Sequence, residues 1–126
     1  MRTLLIAIGL LIVVIAGSAA FFIYTTVLYH NLQDGLVRLQ QQVEQEEWAK
    51  AEVEAERLKK LWRRADDAWM PIMDHRQVDR TDESFTQVFR LVELKNKESL
   101  LLEISAVRRL LYRLMETERP NLRNIF

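Results

Sequence analysis

Cysteine is absent from all 126 residues. That removes disulfides, thiol nucleophiles, a Cys-based zinc site and a lipid anchor carried on cysteine. Net charge is also absent, with 18 Lys and Arg against 18 Asp and Glu. A dedicated nucleic-acid binder needs a basic surplus to meet phosphates, so nucleic acid is not an expected partner. Helix breakers are scarce: three glycines and two prolines in the whole chain. No strand-like alternation stands out, and good helix formers fill the space between the breakers. The length excludes more than one domain outside a membrane.

What is present begins with an apolar run. Leu4 to Leu28, LLIAIGLLIVVIAGSAAFFIYTTVL, holds no charged side chain. As a helix it spans about 37 Å, enough to cross a hydrocarbon core of about 30 Å with some tilt. A helix is the one single-segment solution there, because lipid offers no partners to backbone amides. Tyr24 and Tyr29 fall toward its far end, where amphipathic rings favour the interface. A cleaved signal peptide is the rival: Arg2 is a small basic region and AGSAA (Ala16–Ala20) offers a cleavage site. Cleavage would leave FFIYTTVLY at a free terminus, an exposed apolar stretch with no evident use, so a retained anchor is expected. Arg2 flanks one side, and on the other the next Lys or Arg is Arg38, beyond Asp34. The positive-inside rule then puts the N-terminus in the cytoplasm and the remainder outside.

The remainder reads as four amphipathic stripes. Leu32, Leu36, Leu39 and Val43 form the first, continuing the membrane helix. Trp48, Ala51, Ala55, Leu58, Trp62, Ala65 and Trp69 form the second, in strict three-four alternation. The step from Val43 to Trp48 is out of phase, which predicts a turn near Gln45–Glu47. Alanines between the tryptophans allow a neighbouring helix to approach closely. The opposite face predicts ion pairs Glu56–Lys60 and Arg63–Asp67, one turn apart. RLKKLWRR, flanked by acids, reads as a solvated face. Pro71 interrupts the pattern, and a new helix starts either at Pro71 or from Asp74 as a cap with Gln77 three residues on. Val78, Phe85, Phe89 and Val92 give the third stripe, with Val88 and Leu91 flanking. KNKE (Lys95–Glu98) is a polar break. Leu100, Ile104, Val107, Leu111 and Leu114 give the last stripe, ending before Pro120.

The expectation is an all-α protein: an N-terminal transmembrane helix followed by a small antiparallel bundle of three to four helices. Its divisions are 1–29 for the anchor, 30–46 for a juxtamembrane helix and 47–126 for the bundle. Trp48, Trp62, Trp69, Phe85 and Phe89 are the candidate core aromatics.

Several stretches resemble the bacterial domain-of-unknown-function family 4363. They are Trp62 and Trp69 at seven-residue spacing, DHRQVD (Asp74–Asp79), Glu103–Ile104, and the terminal ETERPNLRNIF with Glu118 and Leu122. The resemblance covers most of the chain after the anchor, with order and spacing carrying it. It implies a membrane-attached or exported bacterial helical protein, and no particular chemistry.

DHRQVD is the one stretch that could be chemical. His75 and Asp79 lie at i and i+4, so they meet on one helix face, and Glu103 on the last helix could join them. A metal site there would be poor in His and Cys for zinc. A general acid–base pair would lack a nucleophile, a glycine loop and a second histidine. The expected role of His75, Asp79 and Glu103 is a structural polar cluster fixing helix register. No catalytic residue, metal or cofactor is assigned, and no enzyme activity is expected. Partners are the lipid bilayer and another membrane or envelope protein, with self-association through heptads as a further route. The alternative is a ligand- or metal-sensing module between the helices.

Overall fold

The computed structural model describes residues 1–118; the terminal RPNLRNIF lies outside the described residues. Four helices follow one another: α1 (Arg2–Glu44), α2 (Trp48–Trp69), α3 (His75–Glu93) and α4 (Lys97–Glu118). The ring of neighbours is α1–α2, α2–α3, α3–α4 and α4–α1. Short loops make each sequential pair antiparallel, which gives an up-down-up-down bundle.

α1 is a single 43-residue helix with two lives. Every residue from 1 to 24 is exposed, and this part is long and apolar enough to cross a membrane. Gly9 and Gly17 there face open space. From Thr25 onward the same helix joins the bundle, burying Leu28, Leu32, Leu36, Leu39 and Val43. The segment 30–44 is therefore the first helix of the bundle, and no break separates it from the apolar span.

The phase slip after Val43 is a turn. Glu46 takes φ 56°; its amide donates to the Val43 carbonyl, and that of Glu47 to Gln42. This is a Schellman closure, which satisfies two orphan carbonyls at the helix end. The same closure ends α3, where Lys95 takes φ 53° and the Lys95 and Asn96 amides donate to Val92 and Leu91. Lys97 Nζ reaches Glu46 Oε1 at 3.5 Å, tying the two loops together at the end of the bundle far from the apolar span.

At the opposite end α2 runs out at Trp69. Asp74 caps α3, accepting the Arg76 amide at 2.9 Å. Pro71 lies in the turn before it and does not start the helix.

Trp62, Trp69 and Phe85 are buried, and Val88 is fully buried. Trp48 and Phe89 correct the expectation: both are only half-buried, packed on the rim of the core. Trp48 opens α2 beside the far-end turn, where fewer neighbours cover it. Phe89 stacks on Phe85 with centroids 5.9 Å apart, while Val88, one position earlier, takes the inward direction. Gly35 sits inside the leucine stripe for a steric reason. A Cβ there would lie 2.6 Å from Leu58 Cδ2 and 3.2 Å from Glu54 Oε1, so α1 and α2 approach closely only at a glycine.

Candidate functional site

The predicted polar cluster does not assemble. His75 is exposed at the first turn of α3, and its Nδ1 lies 3.3 Å from Met70 Sδ. Asp79 is exposed and forms no hydrogen bond with it. Glu103 is half-buried across the α3–α4 seam and accepts a short hydrogen bond, 2.6 Å, from Ser84 Oγ. The i,i+4 spacing brought His75 and Asp79 to the same outward side of α3, while Val78, Thr81 and Phe85 took the inward side. Among the described residues no three His, Asp or Glu side chains converge as metal ligands.

The polar contacts that join helices lie elsewhere. Glu54 is buried on α2; Arg38 of α1 pairs with it at 3.2 Å and Arg57 stands at 3.8 Å. The expected Glu56–Lys60 and Arg63–Asp67 pairs are not formed. Glu54 instead faces α1, where the missing side chain of Gly35 leaves room for a carboxylate. Trp62 Nε1 donates to Asp82 Oδ1 across α2 and α3 at 2.7 Å. Asp66 stands beside this bond. Its carboxyl is raised above the ordinary 3.8, first by burial, then by repulsion from Asp82, Asp67 and Asp79.

A concave feature lies at the end next to the apolar span, between α1 and α4. Its lower part is a cleft of about 340 Å³. One wall is α1, from Ser18 and Phe22 to Thr25 and Tyr29. The other is Tyr112, Met115 and Glu116 of α4, and the α2–α3 loop closes it with Ile72 and Met73. The hydroxyls of Thr25 and Thr26 both donate to the Phe22 carbonyl at 2.9 Å. They are thereby satisfied within α1 and leave the wall largely apolar. Tyr112 Oη and Glu116 Oε1 are 3.3 Å apart.

Above it, farther from the span, the cleft opens into a shallow groove lined by His30 and Gln33 of α1 and by Ser105, Arg108 and Arg109 of α4. Tyr29, His30 and Tyr112 line both parts. Gln33 and Arg108 lock the two helices at this level. Gln33 Nε2 donates to the Arg108 carbonyl at 3.0 Å, and Arg108 Nε donates back to Gln33 Oε1 at 3.2 Å. Both arginines are exposed, and neither forms an ion pair among the described residues.

Apart from Tyr29, none of these groove residues stands out in the sequence. Two signals existed: Ile72, an apolar residue next to a loop proline, and the basic run Arg108–Arg109 with Tyr112 one turn on. Neither says which helix of the bundle it will face, and that fact alone makes them a groove.

A long apolar helix continuing into a four-helix bundle, without strands among the described residues, defines an all-α protein of simple up-down topology. The chain belongs to the family described as Domain of unknown function (DUF4363), which matches residues 20–125. No curated protein and no solved structure matches the chain.

Proposed function

We propose that this is a single-pass membrane protein whose helical bundle acts by contact with another envelope protein. The observation that carries the reading is the unbroken course of α1. The apolar span and the first core helix of the bundle are one rod, so the bundle would be joined to the bilayer by a helix and not by a flexible linker. Such a rod suits a module that presents one surface to a partner. The far end supplies a candidate surface. Leu94 and Leu102 are 68% and 75% exposed there, at the end of α3 and on the adjoining α4. Large apolar residues outside the span that remain in water are candidates for docking.

The orientation belongs to the same proposal. Arg2 before the span, and no Lys or Arg after it until Arg38, favour a cytoplasmic N-terminus and a bundle outside. A reporter active only outside the cytoplasm, fused after Phe126, should work; activity of a cytoplasm-only reporter at that point would reverse the topology. For the contact, a photo-crosslinking residue at Leu102 should give one discrete protein adduct in cells, and Leu94→Asp should remove it. Adducts unaffected by Leu94→Asp would leave the far end without a docking role.

The second reading, a ligand-sensing module at the membrane surface, is supported by the cleft between α1 and α4 described above.

A further inference from the structure

The groove between α1 and α4 changes character along its length in the order that a phospholipid does. Its floor, at Ser18 and Phe22, belongs to the apolar run that begins at Leu4. From Leu4 to Phe22 the helix covers about 28 Å, close to the hydrocarbon thickness of a bilayer. Phe22 therefore falls near the edge of the hydrocarbon. His30, eight residues on, stands about 12 Å higher, at the level of headgroups. α4 descends alongside, so Met115 faces the lower level and Arg109 the upper. Tyr29 and Tyr112 stand between, at the depth where phenol rings are favoured.

We propose that this groove holds one anionic phospholipid of the surrounding bilayer, with an acyl chain in the cleft against Phe22 and Met115 and its phosphate on Arg109 and Arg108. The inference rests on the membrane-anchor part of the proposed function and is independent of the far-end docking surface. Continuity with the span decides the occupant. A cleft whose floor lies in hydrocarbon is filled from the bilayer side, and lipid tails are what the bilayer offers. Charge decides the kind of lipid. Two guanidiniums without acidic partners among the described residues line the upper groove, and guanidinium matches phosphate with paired donors. Arg108 is aimed by its bond to Gln33, which occupies Nε and leaves its terminal nitrogens unassigned to any partner. Among the described residues the carboxylate that lines the groove is Glu116, which sits in the lower part. Seven residues separate it from Arg109, about 10 Å along the helix. At that separation salt weakens its effect on a phosphate bound above. Asp34 follows Gln33 on α1 and pairs with neither arginine.

The test uses the full chain in neutral detergent micelles, with bound lipid read by native mass spectrometry. Dioleoyl phosphatidylglycerol, dioleoyl phosphatidylcholine and glycerol phosphate are added separately. Phosphatidylglycerol is expected to be retained one to one, phosphatidylcholine much less, and glycerol phosphate not at all. Arg109→Gln should weaken phosphatidylglycerol binding about fivefold, and Arg109→Glu on the order of thirtyfold. Arg109 is exposed, so neither change threatens the fold, and helicity measured by circular dichroism should stay constant. Ser18→Phe, which fills the floor of the cleft, should reduce retention of both lipids with no change in their ratio. Equal retention of phosphatidylglycerol by wild type and Arg109→Glu would overturn the proposal. So would competition by glycerol phosphate at the same concentration, which would identify a site for soluble anions. Alkaline carbonate washing of native membranes tests the anchor separately. A protein that washes out loses the membrane reading, whatever the micelle assay returns about the groove.

Discussion

Trp62 and Asp82 meet across the α2–α3 seam, with the indole Nε1 donating to the carboxylate Oδ1 at 2.7 Å. The same indole stacks on Phe85 at 4.7 Å and meets Trp69 edge-on at 6.1 Å. One side chain thus joins a polar bond at the surface to the aromatic core. Truncation should be costly. Trp62→Ala is expected to lower stability by about 3–5 kcal/mol, through lost burial and the cavity left behind. Asp82→Ala removes only the acceptor and should cost about 1–2 kcal/mol, since the bond is charge-assisted but its carboxylate is wet. Chemical unfolding of Trp62→Phe, Asp82→Ala and the double variant measures the coupling. Strict additivity would mean that the bond contributes nothing.

The acids around that bond work against each other. Asp66 has its carboxyl raised above 3.8 by burial first, and then by Asp82, Asp67 and Asp79. A raised folded value means that the native state holds the proton more tightly than the unfolded chain. The stability this provides is whole below about pH 3.8 and is lost as pH rises through the folded value. Near neutrality wild type therefore carries a charge that burial and the neighbouring acids disfavour, and Asp66→Asn does not. The variant should unfold at higher denaturant concentration at pH 7, and its advantage should shrink as pH falls toward 3.8. An advantage that stays constant across this range would place the strain outside the titration of Asp66.

These two contacts mark the limit of what was legible beforehand. Apolar periodicity located all four helices, and the broken phase between Val43 and Trp48 located a turn that has no glycine or proline to announce it. Leu32, Leu58, Phe85 and Leu111 could be read inward because each lies on a long stripe. Glu54 could not. It sits among the acids that precede RLKKLWRR, and only the close approach at Gly35 turns it into a buried partner of Arg38. Asp82 and Ser84 likewise carry no local sign of Trp62 and Glu103, because the rotation of one helix against another is not written in either alone. The groove escapes a sequence reading for the same reason: its α1 and α4 walls are far apart in sequence, 75 residues at the Gln33–Arg108 bond.

Gly35 should be intolerant of side chains. An alanine in place of glycine in a helix gains about 1 kcal/mol of propensity. Here the added methyl meets Leu58 Cδ2 at 2.6 Å, and Leu58 is fully buried and cannot swing into solvent. Overpacking of this kind costs about 1–3 kcal/mol. Gly35→Ala is expected to be destabilising on balance and Gly35→Val more so. Thermal unfolding of both variants checks this; a stabilised Gly35→Ala would mean that α1 and α2 can separate without penalty.

His75 gives the opposite expectation. It is exposed, and its neighbour is the Met70 sulfur rather than Asp79. His75→Ala and Asp79→Asn should each change stability by no more than about 0.5 kcal/mol, as surface positions do. Comparing the unfolding midpoints of both variants with wild type at one neutral pH is sufficient. A large loss in His75→Ala alone would assign real weight to the sulfur contact.

Lys95 offers a gain. It closes α3 in the left-handed region at φ 53°, where a side chain's Cβ crowds the following carbonyl and glycine does not. The Schellman bonds to Val92 and Leu91 are made by backbone atoms and survive any substitution. The side chain itself is exposed and makes no ion pair among the described residues. Lys95→Gly should therefore raise stability by about 0.5–1 kcal/mol, the steric relief exceeding the entropy that glycine adds to the unfolded chain. Glu46→Gly tests the matching position, but it also removes the 3.5 Å pair with Lys97 and should gain less. Parallel denaturant titrations of the two variants resolve the difference. A fall in stability for Lys95→Gly would show that the unfolded-chain term outweighs the strain at this turn.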